Sequence, residues 1–313
     1  MEPYAINTTT DAMQRHGDGA VLDTEGVLMP FALNTGGEGS GKTGPPQGRV
    51  LSSLAAAARS SDGNGTVFTD LALHLGDLAY ATGYASEWDR FLSQLEPLSS
   101  RVPLMVVQGN HERDWPGSGS AFSNFGSGGE CGVPMEARFP MPTPSKRQED
   151  YWYSFEQGPA HFLMMDTEVS AWNGSSQLAF IEADLSAVDR LRTPWVIFGG
   201  HRPMYSSTAV PYGPYRGPNA DPYDLVDGPW WREVEAVMLR HKVDLALSGH
   251  VHNVEVTCPM SRGKCVPTGG DQHGIVSVIQ SVTVGRIPPL QYDRVLKRHA
   301  DYVMPLRTRT QKC

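Results

Sequence analysis

Gly76-Asp77-Leu78-Ala79-Tyr80 follows the apolar run Leu71-Ala72-Leu73-His74-Leu75, and three later blocks repeat this order of apolar run and polar block. The later blocks are Gly109-Asn110-His111-Glu112, Gly200-His201 and Gly249-His250-Val251-His252. Runs of this kind are typical of strands that are buried on both faces. Ligands bind beyond the carboxyl ends of such strands in a sheet covered by helices. We therefore expect the four blocks to converge on one crevice.

The remaining runs alternate with segments of helical periodicity. The strands before the later blocks are predicted at 103–107, 195–198 and 243–247, and a further run at 161–165 ends at Asp166-Thr167-Glu168, which can reach the same rim. After Ser175-Ser176, a plausible helix cap, apolar residues recur at helical spacing at Leu178, Ile181, Leu185 and Val188. Segments 86–95 and 231–241 show the same pattern. This alternation predicts an α/β sandwich whose loops carry the chemistry.

Composition indicates an enzyme-sized globular chain. The chain has 313 residues, 40% of them hydrophobic, and contains no apolar stretch long enough to cross a membrane, so no membrane partner is expected. A formal net charge of -8 argues against a nucleic-acid partner bound through its phosphates. Residues 36–48 form a Gly/Pro-rich insertion. The sequence sets no oligomeric state.

Cysteines and targeting signals are less informative. Cys258 and Cys265 are close enough to close a small loop, but connectivity among the four cysteines cannot be deduced from sequence, and reduced structural cysteines remain an alternative. Glycosylation triplets begin at Asn7, Asn64 and Asn173. No signal peptide follows Met1, and we interpret the chain as a mature fragment or an incomplete gene product.

The polar blocks contain ligand types that suit two metal ions. A dinuclear site needs a bridging carboxylate, for which Asp77 is the natural candidate, and Asn110 adds an amide oxygen. His201, His250 and His252 add imidazole nitrogens, which suit iron, zinc or manganese. On a regular strand His250 and His252 would point to the same face, with Val251 opposite.

Each of these residues alone has a simpler interpretation. Asp77 could be a cap or turn residue, Asn110 a turn former, and a lone histidine after a strand a hydrogen-bonded structural residue. Several ligand types at consecutive strand ends favour the metal site. By contrast, His74 lies inside an apolar run and is predicted to be a hydrogen-bonded core residue. The histidines without motif context are His16, His161, His241, His273 and His299.

Taken together, the motifs Gly-Asp-Leu-Ala-Tyr, Gly-Asn-His-Glu-Arg-Asp-Trp-Pro, Gly-His-Arg and Gly-His-Val-His-Asn resemble those of purple acid phosphatases, which are calcineurin-like metallophosphoesterases. The large plant and algal members are the most similar, and their Gly-Gly-Glu-Cys-Gly-Val-Pro segment has a counterpart at 128–134. The resemblance covers about residues 70–265. It implies a two-sheet α/β sandwich flanked by helices, and a secreted or vacuolar glycoprotein. The implied activity is acid phosphatase: hydrolysis of phosphate monoesters at a dinuclear metal centre by a metal-bound hydroxide.

The same resemblance implies a role for each motif residue. Asp77 would bridge the two ions, and Tyr80 and His252 would bind ferric iron, with the phenolate of Tyr80 giving the purple colour. The ligands of the second ion, which is iron, zinc or manganese in different members, would be Asn110, His201 and His250. His111 would hydrogen-bond the small-molecule phosphate ester and help to protonate the leaving alkoxide.

The chain also departs from the family pattern. An Asp-x-Gly motif should end the first strand and supply another ferric ligand, but the nearest candidate, Asp18, does not follow an apolar run. We therefore expect that strand to be missing and fewer than two metals to be held. Val254 and Val256 stand where the family has an aromatic residue and an arginine. The expected organisation is a partial amino-terminal part at 1–66, a catalytic domain at 67–285 and a divergent tail at 286–313.

Two other functions compete with this interpretation. Residues 36–43 match the phosphate-loop pattern of nucleotide-binding proteins, but Pro45 and Pro46 follow at once and oppose the helix that such a loop must open. The second alternative is a non-catalytic relative that keeps the fold and binds one metal, which the missing aspartate supports.

Overall fold

A computed structural model describes residues 70–122, 125–145, 150–206, 231–251, 254–267 and 272–280, together with two short strands at 19–22 and 28–30. Within these residues the chain folds as two β-sheets with helices on their outer faces. The predicted α/β class is therefore confirmed. The phosphate-loop pattern at 36–43 and the tail beyond residue 280 lie outside the described residues.

The first sheet has four strands, β1 (Gly19–Leu22), β2 (Leu28–Pro30), β3 (Leu71–Leu75) and β4 (Leu104–Val107). Their order is β2-β1-β3-β4, with β3 and β4 parallel and β1 antiparallel to both of its neighbours. The parallel pair brings the loops after β3 and β4 to the same edge of the sheet. The absence of the family's own first strand stays a prediction, since Asp18 is not among the described residues.

The second sheet has six strands, β5 (Tyr153–Gln157), β6 (Ala160–Met164), β7 (Trp195–Gly199), β8 (Leu245–Ser248), β9 (Val254–Val256) and β12 (Val276–Gln280). Their order is β5-β6-β7-β8-β12-β9. The four central strands are parallel, whereas the edge strands β5 and β9 are antiparallel to their neighbours. The hairpin between β8 and β12 in sequence consists of β10 (Met260–Ser261) and β11 (Lys264–Cys265).

The helices are α1 (Ala85–Ser99), α2 (Asn110–Arg113), α3 (Val133–Arg138), α4 (Ser176–Ala187) and α5 (Trp231–Arg240). All three helices expected from periodicity are present. At α4 the Ser175 hydroxyl accepts the Leu178 N–H at 3.1 Å and caps the helix as predicted. Val188 lies one residue beyond α4 and adopts an extended conformation.

The core lies between the two sheets and under the helices. Leu71, Leu73 and Leu75 point into the sandwich, where they pack with side chains such as Phe162. Ala72 faces the opposite way, towards the helix α1 cluster. Both faces of β3 are therefore buried, which explains why its sequence is continuously apolar rather than alternating.

His74 is a core residue, as predicted, but it is not a hydrogen-bonded one. Its side chain is fully buried beside Phe91, and neither ring nitrogen has a hydrogen-bond partner within the described part of the chain. Burial, assisted by the nearby His201 and opposed by Asp77, lowers the pKa of His74 to about 3. The ring is therefore neutral, and the prediction of a satisfied histidine is wrong.

Cys258 and Cys265 form a disulfide with a Cα–Cα distance of 5.6 Å, which closes the loop that carries the β10–β11 hairpin. Cys131 is a free thiol. Among the described helices, none combines the length and the apolar composition that crossing a bilayer would require.

Candidate metal centre

The polar block after β3 leaves the strand through unusual backbone conformations. Gly76 has φ +87°, and a Cβ at this position would lie 2.4 Å from Nδ1 of His201, so only glycine fits. Asp77 and Tyr80 follow with φ of 52° and 48°, in the left-handed region that most side chains avoid. Strain of this kind costs on the order of 1 kcal/mol per residue and concentrates at functional sites.

Glu112 joins this block to the one after β4. Its carboxylate accepts the backbone N–H groups of Asp77 and Leu78, each at 2.7 Å, and that of Gly109 at 3.0 Å. Glu112 is buried, so these three amides replace the water that would otherwise solvate the carboxylate. Glu112 lies within a sequence motif, but no local pattern indicates its role; only the folded chain shows which amides face it.

The predicted ligands meet around His201. Its Nε2 atom lies 3.0 Å from Oδ1 of Asn110, 3.3 Å from Oδ2 of Asp77 and 3.1 Å from Nδ1 of His250. Potential ligand atoms of Asp77, His201 and His250 all lie within 4.8 Å of one another. Asp77 and His201 are fully buried, whereas His250 is half-buried. The four strand ends therefore converge, as the strand pattern predicted.

The orientation of His201 fits a cation at this point. Its Nδ1 atom lies 2.7 Å from the Leu75 carbonyl oxygen, to which it donates, and this leaves Nε2 facing the cluster. Nε2 then faces two oxygen acceptors, the Asp77 carboxylate and the Asn110 amide oxygen. Acceptors gathered around one point repel one another unless a proton or a metal ion lies between them. A carboxylate, an amide oxygen and imidazole nitrogens are suitable ligands for iron, zinc or manganese.

Electrostatics favour an ionised Asp77. Burial by itself raises the pKa of this carboxyl, but the imidazoles of His201, His111 and His250 outweigh burial and hold the pKa well below its ordinary range. A buried anion of this kind requires positive partners. Asp77 therefore brings a fixed negative charge to the centre of the cluster.

Tyr80 and His111 also contact the Asp77 carboxylate. The Tyr80 hydroxyl donates to Oδ2 of Asp77 at 3.0 Å, and the backbone N–H of His111 donates to Oδ1 at 3.0 Å. The two rings pack with centroids 4.2 Å apart. Nδ1 of His111 lies 3.1 Å from the Gly126 carbonyl oxygen and donates to it, so Nε2 is the nitrogen left for a substrate.

Arg202 forms a buried ion cluster that the sequence analysis did not predict. Its guanidinium contacts Glu168 at 2.8 Å and Asp114 at 3.0 Å. The same group lies 3.4 Å from Nε2 of His250 and 3.7 Å from the centre of the Phe122 ring. Glu168 thus reaches the rim expected for the block after β6. Arg202 follows His201 directly, but position alone does not show that its side chain turns towards two acids.

The charges within this cluster balance. Burial and the neighbouring Glu168 together raise the pKa of Asp114 to about 9, although Arg202 acts in the opposite direction. For Glu168 the attraction of Arg202 outweighs burial and lowers the pKa. One negative charge therefore faces one guanidinium. This neutral arrangement is the form in which buried ionic groups are tolerated.

His250 differs from the sequence expectation. Strand β8 ends at Ser248, and His250 has φ 63°, so it does not lie on a regular strand. The alternation proposed for His250 and His252 therefore does not apply, because a left-handed residue turns the chain away from the strand direction. His252 lies outside the described residues, and its role stays a prediction.

The structure thus brings together Asp77, Tyr80, Asn110, His111, His201 and His250. Their roles as metal ligands and proton donor are not tested by geometry alone and stay predictions. The site does, however, offer an anionic carboxylate, three aligned nitrogen or oxygen donors and a histidine at its edge. This arrangement can hold a cation and a negatively charged substrate group.

Comparison with known proteins gives a consistent result. The sequence profile of the family described as "Calcineurin-like phosphoesterase" matches residues 50–254. The chain is 44% identical over 198 residues to "Probable inactive purple acid phosphatase 27" of Arabidopsis thaliana, covering 63% of this chain and 31% of that protein. It is 38% identical over 215 residues to "Nucleotide pyrophosphatase/phosphodiesterase" of Hordeum vulgare, covering 67% of this chain and 56% of that protein.

A solved structure shares the fold. Purple acid phosphatase PPD1 from seeds of yellow lupin (Lupinus luteus) superimposes with a TM-score of 0.64 and 33% sequence identity. The superposition covers 86% of this chain and 44% of the lupin chain. The present chain spans about a third of the length of the three Arabidopsis relatives named inactive purple acid phosphatases 27, 24 and 1.

Proposed function

The chain belongs to the calcineurin-like phosphoesterase family, and on that premise we propose that it hydrolyses phosphate monoesters as a metal-dependent acid phosphatase. The observation that supports this proposal most is the convergence of Asp77, Asn110, His201 and His250 from four strand ends. Its purple acid phosphatase homologues make the same reaction class the first to test.

We assign the ligands of two ions from the donor types. Iron would be held by Asp77, Tyr80 and His252, and a second ion, zinc, manganese or iron, by Asp77 together with Asn110, His201 and His250. When bound, two such ions clamp the attacking and leaving oxygens of an in-line displacement. Asp77 would belong to both sets because its Oδ2 atom lies 3.0 Å from the Tyr80 hydroxyl of the first set and 3.3 Å from Nε2 of His201 in the second.

His111 is the proposed proton donor. Its Nδ1 is engaged with the Gly126 carbonyl, so Nε2 can hydrogen-bond a phosphate oxygen and hold the proton that the leaving alkoxide needs. The ring is half-buried and stacks on Tyr80, which keeps it oriented while its edge stays accessible. Glu112 positions the backbone on both sides of Asp77 and acts through Asp77 rather than on the substrate.

A secreted or vacuolar location is part of the proposal. The disulfide between Cys258 and Cys265 is typical of proteins that fold in oxidising compartments. Asn173 begins one of the glycosylation triplets and lies on the surface, where a sugar chain could be attached. The triplets at Asn7 and Asn64 lie outside the described residues.

A second candidate is a one-metal or non-catalytic relative. Several of the most similar Arabidopsis proteins carry "Probable inactive" in their names. Among the described residues, the only group of His, Cys, Asp and Glu ligands close enough to hold an ion consists of Asp77, His201 and His250, which suffices for a single ion. These three residues are also among the ligands proposed for the two-metal phosphatase, so the same residues serve either candidate.

Metal analysis of the purified chain together with hydrolysis of 4-nitrophenyl phosphate separates the two candidates. The chain as isolated is expected to hold fewer than two metals, so two metals per chain after addition of iron, zinc and manganese, with turnover that chelation abolishes, support the phosphatase. One metal per chain with no turnover after addition of iron, zinc and manganese supports the non-catalytic relative. A variant with Asp184 replaced by asparagine, far from the motif blocks in the sequence, serves as a control with unchanged metal content.

A further inference from the structure

Two aromatic residues project from the loops that hold His111. Trp115 follows Asp114, the residue that ends helix α2, and is half-buried. Phe125 precedes Gly126, whose carbonyl accepts Nδ1 of His111 at 3.1 Å, and Phe125 is 67% exposed. Their rings pack edge to face with centroids 5.0 Å apart. Phe125 is thus an exposed aromatic ring that is packed against a second ring and joined through Gly126 to the candidate proton donor.

Hydrogen bonds between the two loops hold this aromatic pair in place. The backbone N–H and the hydroxyl of Ser127 donate to the Asp114 carbonyl oxygen at 3.0 Å and 2.9 Å. The ring of Trp115 also lies over Gly129, where an added Cβ would be 3.8 Å from it. Trp115 and Phe125 therefore each lie within two residues of these hydrogen-bonded groups. A pre-organised surface of this kind costs less entropy to occupy than a mobile one.

We propose that Trp115 and Phe125 form a subsite for the alcohol part of the ester, and that the preferred substrates carry a flat aromatic ring there. This inference rests on the proposed function, since it assumes that the phosphate lies beside His111. A planar ring stacked on Phe125 would meet Trp115 edge to face, an arrangement that aromatic rings favour. Both a nucleoside base and a simple aryl group satisfy this chemistry.

The subsite can be tested by binding, independently of turnover. Calorimetry with the full chain in the presence of Mn²⁺ would compare adenosine 5′-monophosphate with ribose 5-phosphate, and phenyl phosphate with glycerol phosphate. We expect each aromatic ligand to bind about tenfold more tightly than its non-aromatic counterpart, the effect of one stacked ring. Tighter binding of adenosine 5′-monophosphate than of ribose 5-phosphate, without a difference between phenyl phosphate and glycerol phosphate, identifies a nucleoside base as the ligand. Tighter binding of phenyl phosphate than of glycerol phosphate identifies an aryl group.

Variants of the aromatic pair provide the decisive comparison. The ratio of the affinity for an aromatic ligand to that for its non-aromatic counterpart should fall towards one in Phe125→Leu and in Trp115→Leu. Phe125→Tyr should keep this ratio unchanged. Trp195→Ala is the matched control, because Trp195 is 49% exposed at the opposite end of strand β7 from His201 and should leave the ratio unchanged. Circular dichroism would verify that the variants are folded.

The outcomes separate this inference from the proposed function. Equal affinities within each pair, or a preference that survives both leucine variants, overturn the aromatic subsite even if phosphatase activity is measured. An aromatic preference without turnover supports the subsite and contradicts the proposed function. No binding of any of the four ligands contradicts both.

Discussion

The carboxylate of Glu112 accepts the backbone N–H of Asp77 at 2.7 Å, although the two residues are 35 positions apart in the sequence. This contact fixes the strained turn after β3 against the turn after β4. The candidate metal centre therefore depends on a buried acid that would not itself touch a metal or a substrate.

Replacing Glu112 with alanine is expected to destabilise the fold and disturb the site. The change leaves the buried N–H groups of Asp77, Leu78 and Gly109 without an acceptor, which should cost about 3 kcal/mol of unfolding free energy. Urea unfolding measures this loss. Glu156→Ala is the control, because Glu156 is a more exposed acid whose ion pair with Arg192 is largely solvated. Equal losses of unfolding free energy in the two variants would show that Glu112 does not stabilise the turns after β3 and β4.

Asp77→Asn should lower phosphatase activity more than His111→Ala. Loss of a proposed bridging charge weakens both ions, whereas loss of a proton donor is expected to lower turnover by about a hundredfold. Turnover of 4-nitrophenyl phosphate and metal content, measured on the same samples, test the order. The roles assigned here are contradicted if His111→Ala is the more damaging change while both variants keep the metal content of the parent chain.

Asp166 should make stability depend on pH. Burial and the charge of Glu168 raise its pKa to about 7, although Arg113 opposes the shift. A raised carboxyl pKa contributes stability that is complete below the unfolded value near 4 and is lost as the pH rises towards 7. The loss is at most about 4 kcal/mol. Asparagine resembles the protonated acid, so Asp166→Asn should reduce the dependence of the unfolding free energy on pH between about 4 and 7.

Urea unfolding between pH 4.5 and pH 8 would measure the effect of Asp166. We expect the difference in unfolding free energy between Asp166→Asn and the parent chain to move in favour of the variant as the pH rises. Asp70→Asn changes an exposed acid ahead of β3 and should run parallel to the parent profile. Parallel profiles for Asp166→Asn as well would mean that Asp166 is ionised throughout.

Removing the disulfide should destabilise the chain moderately. The bridge joins residues seven positions apart, so the double change Cys258→Ser and Cys265→Ser should cost about 2–3 kcal/mol by loop-closure entropy. Thermal unfolding of the double variant measures this loss. Alkylation of the denatured, unreduced chain should spare Cys258 and Cys265 and label Cys131; labelling of Cys258 and Cys265 would show that the bridge does not form in solution.

The phosphate-loop pattern is expected to be inert. Lys42 lies outside the described residues, so this expectation still rests on Pro45 and Pro46, which oppose the helix that a functional loop requires. Lys42→Ala should leave phosphatase activity and unfolding free energy nearly unchanged. Tight ATP binding by the parent chain that the Lys42→Ala variant lacks would reverse this view and favour a nucleotide-binding function.

Several features of the molecule were predictable from local sequence pattern. The continuous apolar runs identified β3, β4, β6, β7 and β8, and the 3.6-residue spacing identified α1, α4 and α5, to within a few residues. These signals are local because burial on one face or both depends on side chains a few positions apart. The rule that parallel strands present their carboxyl ends at one edge then placed Asp77, Asn110, His201 and His250 together.

The details of the site required the tertiary structure. The sequence by itself determined five of the strands, three of the helices and the residues that approach one another at the ends of those strands. Only the folded chain determined that Glu112 would face the Asp77 amide, that Arg202 would lie between Asp114 and Glu168, and that His250 would leave the strand direction. The physical reason is strand order: β7 lies between β6 and β8, so the loops after these strands become neighbours despite their separation in sequence. The charge pairs and the strained backbone conformations arise where these loops meet. No local sequence pattern specifies which loops will meet.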